Sequence, residues 1–329
     1  MAERRSETVV EDLLYPESPR WFDSALWCTD ISGHRLVRWV PGGASETVAD
    51  LTELVPLAYA RQRPKLGPSG LDFLPDGTAL LAMMSESGPL RTRVLAYAEG
   101  RVETYADLAP MVSGRLNDMV VAMDGGVYVG ALDASAIVYI APSRAVSIAL
   151  SDVALPNGMA ISPGGTQLYY VAGGTYVYAV DIVSPGRLGT PRLWADLTIE
   201  AAVRRRMVND TPTGPVMWSD LDSLSGADGI ALDAEGALWV GGVSTEKFIR
   251  ITEGGFVTDV IRTPGRHAVA CHLGGADRRT LFLVTVALKP GSVRTGAAGS
   301  PALVHQLYAG ETAGYVETLS VEVPGVGRP

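Results

Sequence analysis

Apolar and polar positions alternate in short runs along most of the chain. That period of two predicts half-buried β-strands rather than helices. The runs follow one recurring pattern: alternation, a small turn of Asp, Gly or Glu-Gly, then a strand carrying a bulky residue. Residues 18–27, 70–81, 119–128, 158–169, 229–239 and 268–282 all show it. Their bulky residues are Trp27, Leu81, Tyr128, Tyr169, Trp239 and Phe282, separated by 54, 47, 41, 70 and 43 residues. Each unit reads as a hairpin with an Asp-Gly-type turn, followed by further strands such as 94–97, 136–140 and 175–180. Four strands in about 40–50 residues is the size of a propeller blade. Six units therefore predict an all-β fold, a six-bladed β-propeller. The long spacing marks an insertion at about 198–220, which holds the one convincing helix, 199–208, with Arg204, Arg205 and Arg206 as its solvated last turn. A closing strand at 315–323 is expected to pair with strands from the other end of the chain. No boundary interrupts the pattern, so residues 1–329 read as a single domain.

Composition narrows the function. Hydrophobic residues make up 47% of the chain and mean hydropathy is +0.17, which excludes intrinsic disorder. The 36 acidic and 27 basic residues leave a net charge of −9, which excludes a general nucleic-acid binder. No apolar run reaches 18 residues and no apolar segment follows the charged start, so a cytoplasmic protein without membrane contact is expected. Cys28 and Cys271 lie in apolar strand-like runs and read as small buried hydrophobes in a reducing compartment.

In a propeller the first strand of each blade lines the central channel, and the residues that open those strands converge on one mouth. Counting back ten to twelve positions from the bulky residues finds Glu17, Asn117, Asn157 and Asp228. The second unit offers Ser69 or Gly70, and the sixth offers Ala270 near Arg266 and His267. Taken singly, Asn157-Gly158 and Asp228-Gly229 are ordinary turn dipeptides. Together at one register they supply oxygen donors suited to a hard divalent cation. Zinc is less favoured, because no cysteine pair or spaced histidine pair accompanies them.

The same residues carry a resemblance. Pro16-Glu17-Ser18-Pro19-Arg20-Trp21, Arg115-Leu116-Asn117-Asp118, the run from Pro156-Asn157-Gly158 to Pro163, and the run from Asp228-Gly229 to Asp233 resemble the signatures of the regucalcin (senescence marker protein)/gluconolactonase/luciferin-regenerating-enzyme-like family. The run Cys271–Phe282 and the ending 323–329 are similar too, so the resemblance spans nearly the whole chain in order. It implies a six-bladed propeller with one divalent metal ion: Ca²⁺ first, with Mg²⁺, Mn²⁺, Zn²⁺ or Fe²⁺ as alternatives. It also implies a metal-dependent hydrolase, a lactonase opening a sugar or other small lactone through a polarised carbonyl and an activated water. By position, Glu17, Asn157 and Asp228 would be the metal ligands, with Asp228 also the general base. Asn117 would be a further ligand or a substrate contact, and Arg115 a substrate-binding side chain. The chain departs from the family's pattern at Gly164-Gly165, where Asp-Gly is usual, and at Ala227, where proline precedes the acid. The segment after Asn117, through 130–136, is short.

Two rival readings use the same architecture: a phosphotriester hydrolase on the same metal site, and a non-hydrolytic biosynthetic or binding propeller. No Gly-x-Ser-x-Gly elbow supports a serine nucleophile. His267 and His272 read as core or rim histidines on the last inner strand, with His267 a possible second acid or base. Met83, Met84, Met207, Met217 and Trp218 point to an apolar rim and a substrate less hydroxylated than a sugar. The expected partner is a small-molecule substrate, and the expected state a monomer or weak homo-oligomer.

Overall fold

The computed structural model of the chain describes residues 6–54, 66–85, 90–209, 223–291, 306 and 311–327. After β1 (Glu7–Leu13), the first blade is β2 (Pro16–Phe22), β3 (Ala25–Asp30), β4 (Arg35–Trp39) and β5 (Ser45–Asp50). The second is β6 (Pro68–Phe73), β7 (Ala79–Met83), β8 (Arg93–Ala98) and β9 (Arg101–Asp107). The third is β10 (Leu116–Val121), β11 (Val127–Ala131), β12 (Ala136–Ile140) and β13 (Val146–Leu150). The fourth is β14 (Met159–Ile161), β15 (Gln167–Ala172) and β16 (Tyr176–Ser184), with both β17 (Arg187–Leu188) and β18 (Arg192–Asp196) paired to β16. The fifth is β19 (Ala227–Leu232), β20 (Leu238–Gly242), β21 (Lys247–Thr252) and β22 (Phe256–Arg262). The sixth is β23 (His267–Gly274), β24 (Thr280–Leu288) and β25 (Thr312–Ser320), completed on its outer edge by β1. Contacts between successive inner strands, and between β23 and β2, close the ring into a six-bladed β-propeller.

The repeat fixes this architecture because each bulky residue stands on a second strand and fills the space between neighbouring blades. Tyr128, Trp239 and Phe282 are almost fully buried, and Trp27 is half-buried. Trp21 on β2 stacks on Phe282 across the seam, with ring centroids 5.4 Å apart. The hairpin turns use the residues such turns require. Gly77 and Gly125 have φ of 91° and 81°, a region open to glycine, and the preceding Asp76 and Asp124 accept backbone N–H bonds. Gly165, in the departing Gly164-Gly165 turn, keeps φ at 68°, so that turn is preserved.

The chain ends pair as the alternation at 315–323 predicts: Glu7 faces Thr318 and Leu13 faces Gly314. The helix, α1 (Ile199–Asn209), begins at Thr198, whose hydroxyl accepts from the Ala201 N–H at 3.3 Å. Arg204 is exposed beside Asp196, whereas Arg205 donates to the carbonyls of Asp196 and Gly254 and is tied to the protein rather than solvated. Cys28 and Cys271 are free and buried, and burial pushes both thiols up, as inert apolar packing demands. Met83 and Met84 correct the apolar-rim expectation: both are buried in hydrophobic clusters between blades. Met217, Trp218 and the Met207 side chain lie outside the described residues. Among the described residues no helix is long and apolar enough to cross a membrane.

Candidate active site at the channel mouth

The inner strands of five blades, all but the fourth, begin with a local irregularity, and three of these irregularities build the site. The β2–β3 ladder skips between Glu17 and Arg20, β10–β11 between Leu116 and Met119, and β19–β20 between Ala227 and Ile230. A β-bulge releases consecutive residues from the ladder and re-aims their side chains. Ser18-Pro19, Asn117-Asp118 and Asp228-Gly229 are the residues so released, and Glu17, still paired with Thr29, stands at the edge of its bulge. In the fourth blade Asn157 and Gly158 precede β14 and are tied to Val171 by backbone bonds.

The glycines after the acidic and amide residues have a packing role. Neither Gly158 nor Gly229 has positive φ, so neither is there to shape a turn. A Cβ on Gly158 would stand 2.3 Å from the Asp228 carbonyl oxygen, and one on Gly229 would stand 2.5 Å from the Ala270 Cβ. Their small size lets three inner strands close on the axis.

The structure brings Glu17, Asn157 and Asp228 together, and adds residues that one position per unit did not reveal. The Asn157 side chain hydrogen-bonds the Asp228 carboxylate. Asp118 accepts from the Ser18 hydroxyl at 3.0 Å and from the Met119 N–H at 2.9 Å. Arg20 lies beneath, its guanidinium 3.5 Å from Asp118 and 3.8 Å from Asp72, donating also to the carbonyls of Pro19 and Met119. Asp72 in turn accepts from the N–H groups of Val121 and Phe73. All of these carboxylates are buried. Asp118 had a sequence signal, since it completes the Asn117-Asp118 pair, but only a bulge presents two successive residues to one mouth. Arg20 and Asp72 carried no such signal.

Asn117 is engaged at both ends of its amide. Its Oδ1 accepts from the Ser69 hydroxyl at 2.9 Å and its Nδ2 donates to the Pro156 carbonyl at 3.0 Å. It cross-links the second, third and fourth blades. Arg115 precedes β10 and forms a two-pronged ion pair with Asp133, the shorter contact 2.6 Å. His267 opens β23 and is buried, with Nδ1 2.7 Å from the Val243 carbonyl. A carbonyl can only accept, so Nδ1 carries the hydrogen there.

Electrostatics set this mouth apart from an ordinary polar rim. Burial, then the negative charges of Asp228 and Asp118, raise the Glu17 carboxyl well above its ordinary range. Burial and Asp118 push Asp228 up to about 7, against the lowering effect of Asn157. Burial pushes Asp72 up to about 6, with Arg20 opposing. Among the described residues no three His, Cys, Asp or Glu side chains close into a metal-ligating group. A cation here would draw on the Asn157 amide oxygen beside Glu17 and Asp228. Two buried carboxylates under mutual repulsion and one carboxamide, all hard oxygen donors, fit a cation such as Ca²⁺.

A six-bladed propeller with an acidic, amide-bearing mouth defines the class. Residues 15–287 match the SMP-30/Gluconolactonase/LRE-like region, and the chain belongs to that family. Its fold is similar to that of a luciferin-regenerating enzyme, at 15% identity and a TM-score of 0.69, covering 98% of this chain and 97% of that one. A gluconolactonase from Xanthomonas campestris is 17% identical, with a TM-score of 0.66 over 98% of this chain and 91% of the other. A calcium-binding regucalcin from Agrobacterium tumefaciens is 18% identical, with a TM-score of 0.63 and full coverage of both chains. No curated protein matches the chain in sequence.

Proposed function

We propose that this chain is a divalent-cation-dependent lactone hydrolase acting on a small lactone, with Glu17, Asn157 and Asp228 holding the cation. The observation that carries the reading is the gathering of Glu17, Asp118 and Asp228, from three blades, in one buried mouth where the proton affinity of Glu17 and Asp228 is raised. Family membership supports it, and the gluconolactonase and the calcium-binding regucalcin among the similar structures favour a lactone and Ca²⁺. When bound, the cation would supply a Lewis acid and lower the proton affinity of water. Asp228, rotationally fixed by its bond to Asn157, accepts a proton from the attacking water at a carboxylate oxygen. Water adds to the acyl carbon, the acyl–oxygen bond breaks, and the ring opens. The proton held by Asp228 passes to the departing alkoxide, and the new carboxylic acid releases a proton to solution. Asn117 belongs to the rigid wall of the mouth, and Arg115, paired with Asp133, is the candidate substrate contact.

Acid release from sugar, alkyl and aryl lactones and one phosphotriester, with chelator-treated protein and added Ca²⁺, tests the reading. Cation-dependent opening of a lactone is the expected result. Turnover of the phosphotriester alone would replace the substrate class, and tight cation binding without turnover would remove the enzyme.

The same carboxylates make metal-free stability depend on pH. Because burial raises Glu17, Asp228 and Asp72, the folded chain holds protons that the unfolded chain releases. Their stabilisation is complete below the unfolded carboxylate range near about 4 and is lost as pH rises through about 6 and about 7. Calorimetry on chelator-treated protein is expected to show Tm falling from about pH 5 to about pH 8, with Ca²⁺ restoring more at the higher pH. An equal Ca²⁺ effect at both values would contradict protonation of this cluster.

A further inference from the structure

The third blade sets a pair of opposite charges at the upstream end of its inner strand, beside the acidic mouth. Arg115 stands two residues before Asn117, and its carbonyl accepts from the Leu132 N–H at 2.9 Å. The connection from β11 to β12, residues 132–135, is short and returns at once to the start of β10. Asp133 lies in that connection. Its carboxylate takes three donors from one residue: the Arg115 backbone N–H at 2.7 Å, Nη2 at 2.6 Å and Nε at 3.1 Å. Gly114 makes room for it. A Cβ there would stand 2.3 Å from Asp133 Oδ2, and its φ of 99° is one that side-chain-bearing residues rarely adopt.

The two side chains are 28% and 37% exposed, and a pair so open to water adds little stability. Its larger effect is on charge. Bonding to Arg115 holds the Asp133 carboxyl below the usual carboxylate range, so both partners stay ionised; Arg91 acts on it too, more weakly. Deeper in the mouth are Glu17, Asp118 and Asp228, and the buried cation Arg20 is committed to Asp72 and Asp118. A molecule entering here meets an acidic floor and a guanidinium whose charge is already balanced. Leu155, just before the Pro156 that holds the Asn117 amide, is 56% exposed and adds an apolar residue to the same rim. Neither feature offers an anion a partner.

We infer that Asp133 is a specificity-determining residue: by balancing Arg115 beside an acidic floor, it fits the site to uncharged lactones and turns away lactones that carry a carboxylate. The inference rests on the proposed lactone chemistry, with Arg115 as the substrate contact.

The probes are two lactones of one shape, 5-oxotetrahydrofuran-2-carboxylate and its carboxamide, followed by initial rates with Ca²⁺-loaded full chain. Their ring-ketone counterparts, 3-oxocyclopentane-1-carboxylate and its carboxamide, cannot be opened by water and report binding alone, by titration calorimetry. The native chain is expected to favour the carboxamide by about tenfold in both measurements, the worth of one charge-assisted contact. D133N keeps the side-chain size beside Gly114 and an oxygen for the Arg115 N–H. It is expected to reverse the preference, with the carboxylate gaining about tenfold or more through KM rather than kcat. R115M added to D133N is expected to remove that gain. Equal affinity of the native chain for the two ketones, binding of neither, or a D133N effect equal on both would overturn the inference. The expected ranking of the ketones without opening of either lactone would end the hydrolase reading and leave the charge selection standing. Opening of both lactones at equal kcat/KM would do the reverse.

Discussion

Replacing Asp228 with Asn is expected to lower kcat/KM for lactone opening by about 10²–10⁴-fold while leaving the fold intact or firmer. Asparagine keeps the shape and can still bond Asn157, but it can neither take a proton nor contribute a charge to a cation. The loss should appear in kcat with Ca²⁺ saturating, and the Ca²⁺ requirement should itself move to higher concentration. Stability should move the other way. Asp228 is buried beside Asp118 and Glu17, and its negative charge there is unfavourable, as the value of about 7 records. The neutral amide removes that repulsion, so metal-free D228N should melt no lower than the parent at about pH 8. Full turnover by D228N with cation bound would end the assignment of Asp228 as base. A lowered Tm would show instead that its charge is satisfied by partners.

Arg20 is expected to have the opposite profile, a large loss of stability. Its guanidinium is buried, lies between Asp72 and Asp118, and closes two carbonyls. Arg20→Met keeps much of the apolar stem but leaves two buried carboxylates without their cation, a cost of about 3–5 kcal/mol at neutral pH. Urea unfolding should therefore give a markedly lower midpoint at unchanged slope. The deficit should shrink near about pH 5, where Asp72 can protonate. Adding Asp72→Leu to Arg20→Met should recover part of the loss, because the two residues share one interaction. A variant within 1 kcal/mol of the parent by this measure would mean water or rearrangement replaces the guanidinium.

The architecture was legible in the sequence because one bulky residue per blade must fill the wedge between neighbouring sheets. Trp27, Leu81, Tyr128, Tyr169, Trp239 and Phe282 therefore keep a register that identity does not. Glu17, Asn157 and Asp228 were legible for the same reason: they stand at a fixed distance upstream of that register. Asp118 was hidden by the bulge after Leu116, which turns two successive residues to one side where regular pleating would present one. Arg20 and Asp72 were hidden because their roles come from other blades, through contacts between residues 49 or more positions apart. Asn117 shows the limit of reading by residue type. Its position is the expected one, yet its amide joins Ser69 to Pro156 and so acts as a brace between blades.

The pairing of β1 with β25 has a consequence for how the molecule is made. Glu7 cannot find Thr318 until nearly the entire chain has left the ribosome, so the opening segment must wait through the synthesis of every other blade. Trp21, which ends up stacked on Phe282, waits until the sixth blade is being made. During that interval the nascent chain is an open arc with unpaired strand edges at both tips, the state most exposed to association with its neighbours. Joining the tips is the step with the greatest loop-closure entropy, so circularisation should come last in folding and set its rate.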